Sequence, residues 1–154
     1  MASILDAPLS LYSIPVAWLL AYIPQVIKVT TASKFTTYDN LDPRTNVSKI
    51  SAKDKVDDRL KAKVARADAA HQNGLESFPV WSIAVLVANY AGLASRSINN
   101  TALVYLGSRV VYNYIYINQS KQWHGSSRTL VWNVGVGAAL SLLIRSANLV
   151  SSRT

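Results

Sequence analysis

Arg109, Tyr112 and Tyr116 stand at i, i+3 and i+7, with Tyr105 one turn earlier. On a helix this spacing sets a guanidinium and three phenol rings in a single stripe. A second group precedes it: Asn73 and Glu76 are one turn apart, and Arg66 lies seven residues before Asn73 on nearly the same face. Arg128 follows after a polar connection. Glu76 is the only Glu of the chain and its last acid, so the six cations beyond it have no later acid to pair with. Cations and hydrogen-bond donors in this pattern take an anion from one of three places: the Glu76 helix, a lipid headgroup or a ligand. The chain has no Cys, which excludes a disulfide framework, a thiol nucleophile and a Cys-based zinc or iron–sulfur site. Any reactive sulfur must arrive on a ligand, and no metal site is expected.

The elements that carry these residues are long and apolar. With 154 residues, half of them hydrophobic, the chain reads as one domain over residues 1–154 and is too hydrophobic to be disordered. Residues 7–27 hold no charge, nor do residues 77–95 and 129–144, and residues 97–120 carry Arg109 alone. A spanning helix needs roughly 20 apolar residues. The pattern therefore predicts an all-α, integral membrane four-helix bundle with helices near 8–28, 62–95, 101–119 and 127–148 and a basic loop near 29–61. A soluble bundle would show a charged face on each helix, and these stretches have none. The first stretch lacks a basic leader and is longer than a signal peptide's apolar core, so it reads as a retained helix. Pro15 and Pro24 are tolerated there if neighbouring helices satisfy the freed carbonyls.

The charge is unevenly distributed. Of 16 Lys and Arg, ten fall within residues 28–68 together with six of the eight acids. Lys121 and Arg128 flank the third connection, whereas Arg96, Arg145 and Arg153 lie on the opposite side. The positive-inside rule then makes connections one and three cytosolic and both termini luminal. The run from Lys49 to Lys63, interleaved with Asp54, Asp57 and Asp58, reads as a solvated extension of the second helix. A net charge of +8 raises nucleic-acid binding, but the interleaved acids and the lack of a recognised module point to no nucleic-acid partner. Gly135 with Ala139, and Gly137 with Ser141, are small residues at i, i+4 that allow close approach of helices in lipid, within a bundle or an oligomer.

An intramembrane charge marks a functional site by default, and Arg109 is near mid-membrane on this reading. Asn73, Glu76, Tyr116 and Arg128 are expected at one depth, with Arg109 and Tyr112 somewhat deeper. In isolation, Tyr112 and Tyr116 equally fit interfacial aromatics, and Arg128 a positive-inside anchor. Arg145 reads as a snorkelling anchor. His71 points about 200° away from Asn73 and stays outside the cluster.

Two motifs on two helices resemble those of the MAPEG family, the membrane-associated proteins in eicosanoid and glutathione metabolism. Asn73-Gly74-Leu75-Glu76-Ser77-Phe78-Pro79 is similar to its N-x-x-E-x-F-P signature, and Arg109-x-x-Tyr112-x-x-x-Tyr116 to its R-x-x-[YH]-x-x-x-Y. The resemblance extends over essentially the whole chain. It implies a homotrimer in the endoplasmic reticulum or another endomembrane, with glutathione held between subunits at the cytosolic side. It implies that Asn73 and Glu76 hold the tripeptide's backbone and amino group, and that Arg109, Tyr112 and Tyr116 hold its carboxylates and line the pocket. Arg128, followed by Thr129, resembles the family arginine that stabilises the thiolate, with Tyr116 beside it in catalysis. Ala69 stands where the better-studied eicosanoid enzymes have Arg, and Arg66, one turn earlier, is the substitute. The connection before Arg128 is longer than in those enzymes, and Trp132 replaces a tyrosine found in some members. The implied activity is a glutathione-dependent transferase or peroxidase acting on lipophilic electrophiles or lipid hydroperoxides. The alternative is a non-enzymatic, lipid-binding or scaffold member of the same fold.

Overall fold

The computed structural model describes residues 6–153, and it is helical without a strand among them. After a 3-10 turn at Leu9–Tyr12 come α1 (Ser13–Ala32), a short 3-10 turn, α2 (Asn46–Ser51), α3 (Asp58–Ala91), α4 (Ser95–Asn118) and α5 (Gln122–Ser151). Asp57 caps α3 by accepting from the backbone N–H of Arg59 at 2.6 Å, and Asp58 in the first turn complements the helix dipole. Gly92, at φ +79°, ends α3 in the left-handed conformation that glycine adopts without a Cβ clash.

Cross-helix contacts define an antiparallel register. Along α1 and α3, Lys28 pairs with Asp68 at 2.7 Å, Ala21 meets Gly74, and Ser13 accepts from Trp81 Nε1 at 3.2 Å. Between α3 and α4, Trp81 stacks on Tyr105 with ring centroids 3.9 Å apart. Between α4 and α5, Arg145 donates to Ser97 near one end, and the Arg109 guanidinium reaches the Trp132 carbonyl further along. The apolar core is gathered around Trp81, with Ala84, Val85, Ile98, Ala102 and Leu142 buried beside it.

Pro24 interrupts the α1 hydrogen-bond ladder, because it cannot donate to the Leu20 carbonyl and its ring crowds that turn. Asn113 of α4 supplies the missing donor to Leu20 O at 2.9 Å, and His71 Nδ1 lies 2.8 Å from the neighbouring Ala21 O. The proline is thus accommodated by two side chains from two other helices, and His71 faces α1.

One expectation needs correction, and another is met in part. The segment 29–61 is not simply a loop: α1 continues to Ala32, and α2 packs Ile50 against Ala32 and Val64. Asn46 anchors that turn by donating to the carbonyls of Asp39 and Pro43. Lys49 and two backbone N–H groups hold the Asp39 carboxyl below its ordinary value. Lys49 therefore belongs to a separate helix, and the solvated extension of α3 begins only at Asp58. Of the four spans expected, two helical segments are both long and apolar enough to cross a membrane, Leu9–Ala32 and Gln122–Ser151. Absence of charge is a weaker property than apolarity. α3 opens with a charged half, and α4 carries Asn99, Asn100, Asn113 and Asn118 besides Arg109. Large apolar side chains nevertheless lie exposed on all four long helices, among them Leu19, Leu86, Leu103 and Leu130.

The α1–α3 crossing generates a prediction of opposite signs. A Cβ at Gly74 would lie 2.8 Å from Ala21 Cβ, whereas one at Gly107 meets nothing within 4 Å. Gly74→Ala should lower the melting temperature, since overpacking costs about 1–3 kcal/mol against a helix-propensity gain of about 1 kcal/mol. Gly107→Ala should raise it. Thermal unfolding in detergent checks both, and a rise in the Gly74 variant contradicts the close crossing.

Candidate functional site

Arg109 is only 5% exposed. Its guanidinium sits between the Tyr105 and Tyr112 rings, 5.4 and 5.1 Å from their centroids. Its polar contacts are long: Nη1 lies 3.5 Å from Asn73 Oδ1 and 3.4 Å from Ser77 Oγ, and Nη2 lies 3.4 Å from Trp132 O. Good N–H···O bonds fall near 2.7–3.2 Å. Nε is buried with no hydrogen-bond partner, and no carboxylate forms an ion pair with the side chain among the described residues. A buried cation costs several kcal/mol of desolvation, and neutral contacts at these distances offset only part of it.

α5 makes room for this charge through one missing side chain. A Cβ at Gly135 would fall 2.5 Å from Arg109 Nη2 and 2.8 Å from Ser108 Oγ. Beside the guanidinium is a cavity of about 310 Å³, bordered by Glu76, Val80, Trp132, Val136 and Leu140. Glu76 is exposed at its edge, and no ion pair engages it among the described residues. The cavity thus offers a cation, a carboxylate and apolar walls in one place.

Arg128 occupies a second position, toward the start of α5. Its guanidinium stacks 4.3 Å from the Tyr116 ring centroid and donates to Gln119 Oε1 at 3.1 Å. It borders a polar cavity of about 470 Å³ with Lys121, Gln122 and Thr129. Tyr116 in turn meets Tyr112 edge-on at 5.4 Å. Arg109, Tyr112, Tyr116 and Arg128 therefore form a continuous ladder of cation, ring, ring and cation.

The expected level of these groups changes. Asn73 lies with Arg109, not with Tyr116 and Arg128, because α3 starts at Asp58 and carries Asn73 about 22 Å along its axis. Glu76 borders the same Arg109 cavity. Arg66 donates through Nε to the Ile117 carbonyl at 3.1 Å, one of the otherwise unpaired carbonyls ending α4. No contact joins Arg66 to Asn73 or Glu76 among the described residues. Arg145 is tied to Ser97, as an anchor between α5 and the start of α4. Sequence reasoning missed Ser77, Gln119 and the guanidinium-facing role of Gly135. Ser77 was within reach, being one turn beyond Asn73; Gly135 was visible only as a packing residue.

A family model described as MAPEG family matches residues 9–148. No curated protein and no solved structure matches the chain.

The Gly135 contact is testable by a double-mutant cycle. Gly135→Ala should lower stability by about 1–3 kcal/mol, the usual cost of overpacking. In an Arg109→Ala background the same change should cost clearly less, because the two Arg109 atoms are gone and only Ser108 Oγ, at 2.8 Å, still has to shift. Additive effects in detergent unfolding would show that the two residues do not meet.

Proposed function

The chain belongs to the MAPEG family, and from that premise we propose a membrane glutathione-dependent transferase or peroxidase acting on lipophilic electrophiles or lipid hydroperoxides. Two helices long and apolar enough to cross a membrane fit such a protein. The finer reading is a four-span bundle over the whole chain, assembled as a homotrimer in an endomembrane with luminal termini. Apolar side chains exposed on all four long helices support it, since a bilayer solvates them without penalty.

The observation that carries the proposal is the buried Arg109 guanidinium with an orphaned Nε and no carboxylate partner among the described residues. Glutathione fits this environment chemically: it has two carboxylates for the cations and an ammonium for Glu76. When bound, it supplies the thiol sulfur that a chain without cysteine lacks. Arg109 would hold a carboxylate, with Asn73 orienting the peptide and Tyr112 and Tyr116 forming the wall between the two cations. Arg66, engaged at the end of α4, is retained as the substitute for the arginine missing at Ala69. Arg128 would stabilise negative charge on the sulfur, because a guanidinium beside a thiol lowers its pKa and raises the thiolate fraction. Tyr116 keeps that guanidinium in place through its ring face.

A second reading, lipid binding without chemistry, is favoured by one feature: Val80, Val136, Ala139 and Leu140 make the Arg109 cavity largely apolar. Turnover of an aryl halide or a lipid hydroperoxide by purified protein separates the two.

Equilibrium dialysis in detergent should detect glutathione binding at millimolar concentration or below, with an ultraviolet difference band for thiolate. A free thiol titrates near pH 8.5, so a depressed pKa means thiolate appears at lower pH in the complex. Arg128→Ala should shift that titration up by about one unit, a roughly tenfold smaller thiolate fraction at neutral pH, with most of the affinity retained. Absence of binding overturns the function; an unchanged titration removes Arg128 from its role.

A further inference from the structure

On the side of α4 away from α5, a second groove opens between α4 and α1. It encloses about 310 Å³ and is walled by Leu20, Ile23, Ile27, Val110 and Ile117. It opens outward, for Ile23 is 47% and Val110 52% exposed. None of its lining residues belongs to the ladder or to the Arg109 cavity.

The groove has one polar end. In the antiparallel register, Ile27 of α1 and Ile117 of α4 lie toward the start of α3, and there Lys63 and Asn118 border the same space. Leu20 and Val110 form the other, apolar end. Asn113, midway, already spends an amide hydrogen on the Leu20 carbonyl freed by Pro24. Lys63 forms no ion pair among the described residues, although Lys61, two positions away, pairs with Asp58. Lys53, Lys55 and Arg59 add positive charge in the sequence just before and at the start of α3, partly offset by Asp54 and Asp57, while Lys49 and Lys61 are paired with Asp39 and Asp58.

We propose that this groove binds an anionic glycerophospholipid, with the headgroup phosphate at Lys63 and one acyl chain along Leu20, Ile23 and Ile27. The occupant follows from the charge and shape of the site. Basic pockets between helices at a membrane surface attract anionic headgroups. A lysine ammonium suits phosphate as a point charge, whereas carboxylates are matched best by the arginine fork. The volume is at the lower limit of small-molecule pockets, which fits one chain and leaves the second in the bilayer. The proposal rests on the chain being a membrane protein and is independent of glutathione. A protein that selects phosphatidylserine through Lys63 but binds no glutathione refutes only the proposed activity.

The test uses full-length, delipidated protein in detergent, titrated with phosphatidylserine, phosphatidylcholine or oleate while native mass spectrometry counts bound molecules and subunits. Phosphatidylserine should bind more tightly than phosphatidylcholine or oleate. Lys63→Gln should weaken phosphatidylserine about fivefold, as expected for one cation near an anionic headgroup, and weaken phosphatidylcholine less, because its choline cation already offsets the phosphate that Lys63 meets. Ile23→Trp, which fills the groove, should weaken both phospholipids. Should that variant fail to fold, the lipid preference of Lys63→Gln still decides. Unchanged phosphatidylserine binding in Lys63→Gln overturns the proposal. So does oleate binding as tightly as phosphatidylserine, which would mark a fatty-acid site. A change of subunit number in either variant also overturns it, since the groove would then be covered by a second copy of the chain.

Discussion

The structure is organised around one cation that apolar surroundings do not welcome. Arg109 lies in the middle of α4, buried by α3 and α5, and several features of the fold accommodate it. Tyr105 and Tyr112 offer ring faces, contacts worth about 0.5–2 kcal/mol each depending on desolvation. Asn73, Ser77 and the Trp132 carbonyl offer oxygens at long range. Gly135 removes the one side chain that would collide with it. These contacts hold the guanidinium in place but do not neutralise it. Breaking a buried ion pair costs about 3–5 kcal/mol because a charge is left uncompensated, and Arg109 stands in that uncompensated position already. On the proposed function, a ligand carboxylate would supply the missing counter-charge.

The antiparallel register lets four helices serve this site while retaining a proline inside α1. Pro24 frees a carbonyl, Asn113 and His71 bond to that part of α1, and the Gly74–Ala21 contact brings α1 close to α3. α3 is thereby fixed on both faces: one side holds α1, and the other presents Asn73, Glu76 and Ser77 to α4 and α5. The ladder from Arg109 to Arg128 follows from the same arrangement. Tyr112 and Tyr116 stand one turn apart on α4, and α5 returns antiparallel so that its first turns bring Arg128 onto Tyr116. Two cations are joined through two rings, and each borders a different cavity. The cavity at Arg109 is largely apolar and the one at Arg128 largely polar.

Much of this was legible in the sequence, and the reasons for what was not are physical. The polar stripe on α4 follows from helical period alone, as does the exclusion of His71 from the Asn73 face of α3. The need for neighbouring helices to satisfy carbonyls near Pro24 also follows from covalent geometry. Levels were harder. The start of α3 depends on Asp57 as a cap and on α2 docking through Ile50, interactions between segments that a period cannot reveal. Asn73 consequently sits with Arg109 instead of Arg128. Gly135 looked like a packing glycine because spacing identifies a small residue without saying what approaches it. Only two of the four uncharged stretches belong to helices apolar enough to span by composition, for a simpler reason: uncharged asparagine and tyrosine in α4 are polar, and counting only charges overlooks them.

The central claim is that buried guanidinium chemistry selects an anionic tripeptide. Comparing glutathione with its diethyl ester by calorimetry on the detergent-purified protein tests it most directly, because the ester keeps the thiol, the amine and the peptide backbone while removing both negative charges. The account predicts measurable binding of glutathione and a loss of at least about tenfold in affinity for the ester, since hydrogen bonds to charged groups contribute about 1.5–3 kcal/mol. Equal binding of the two compounds would contradict it.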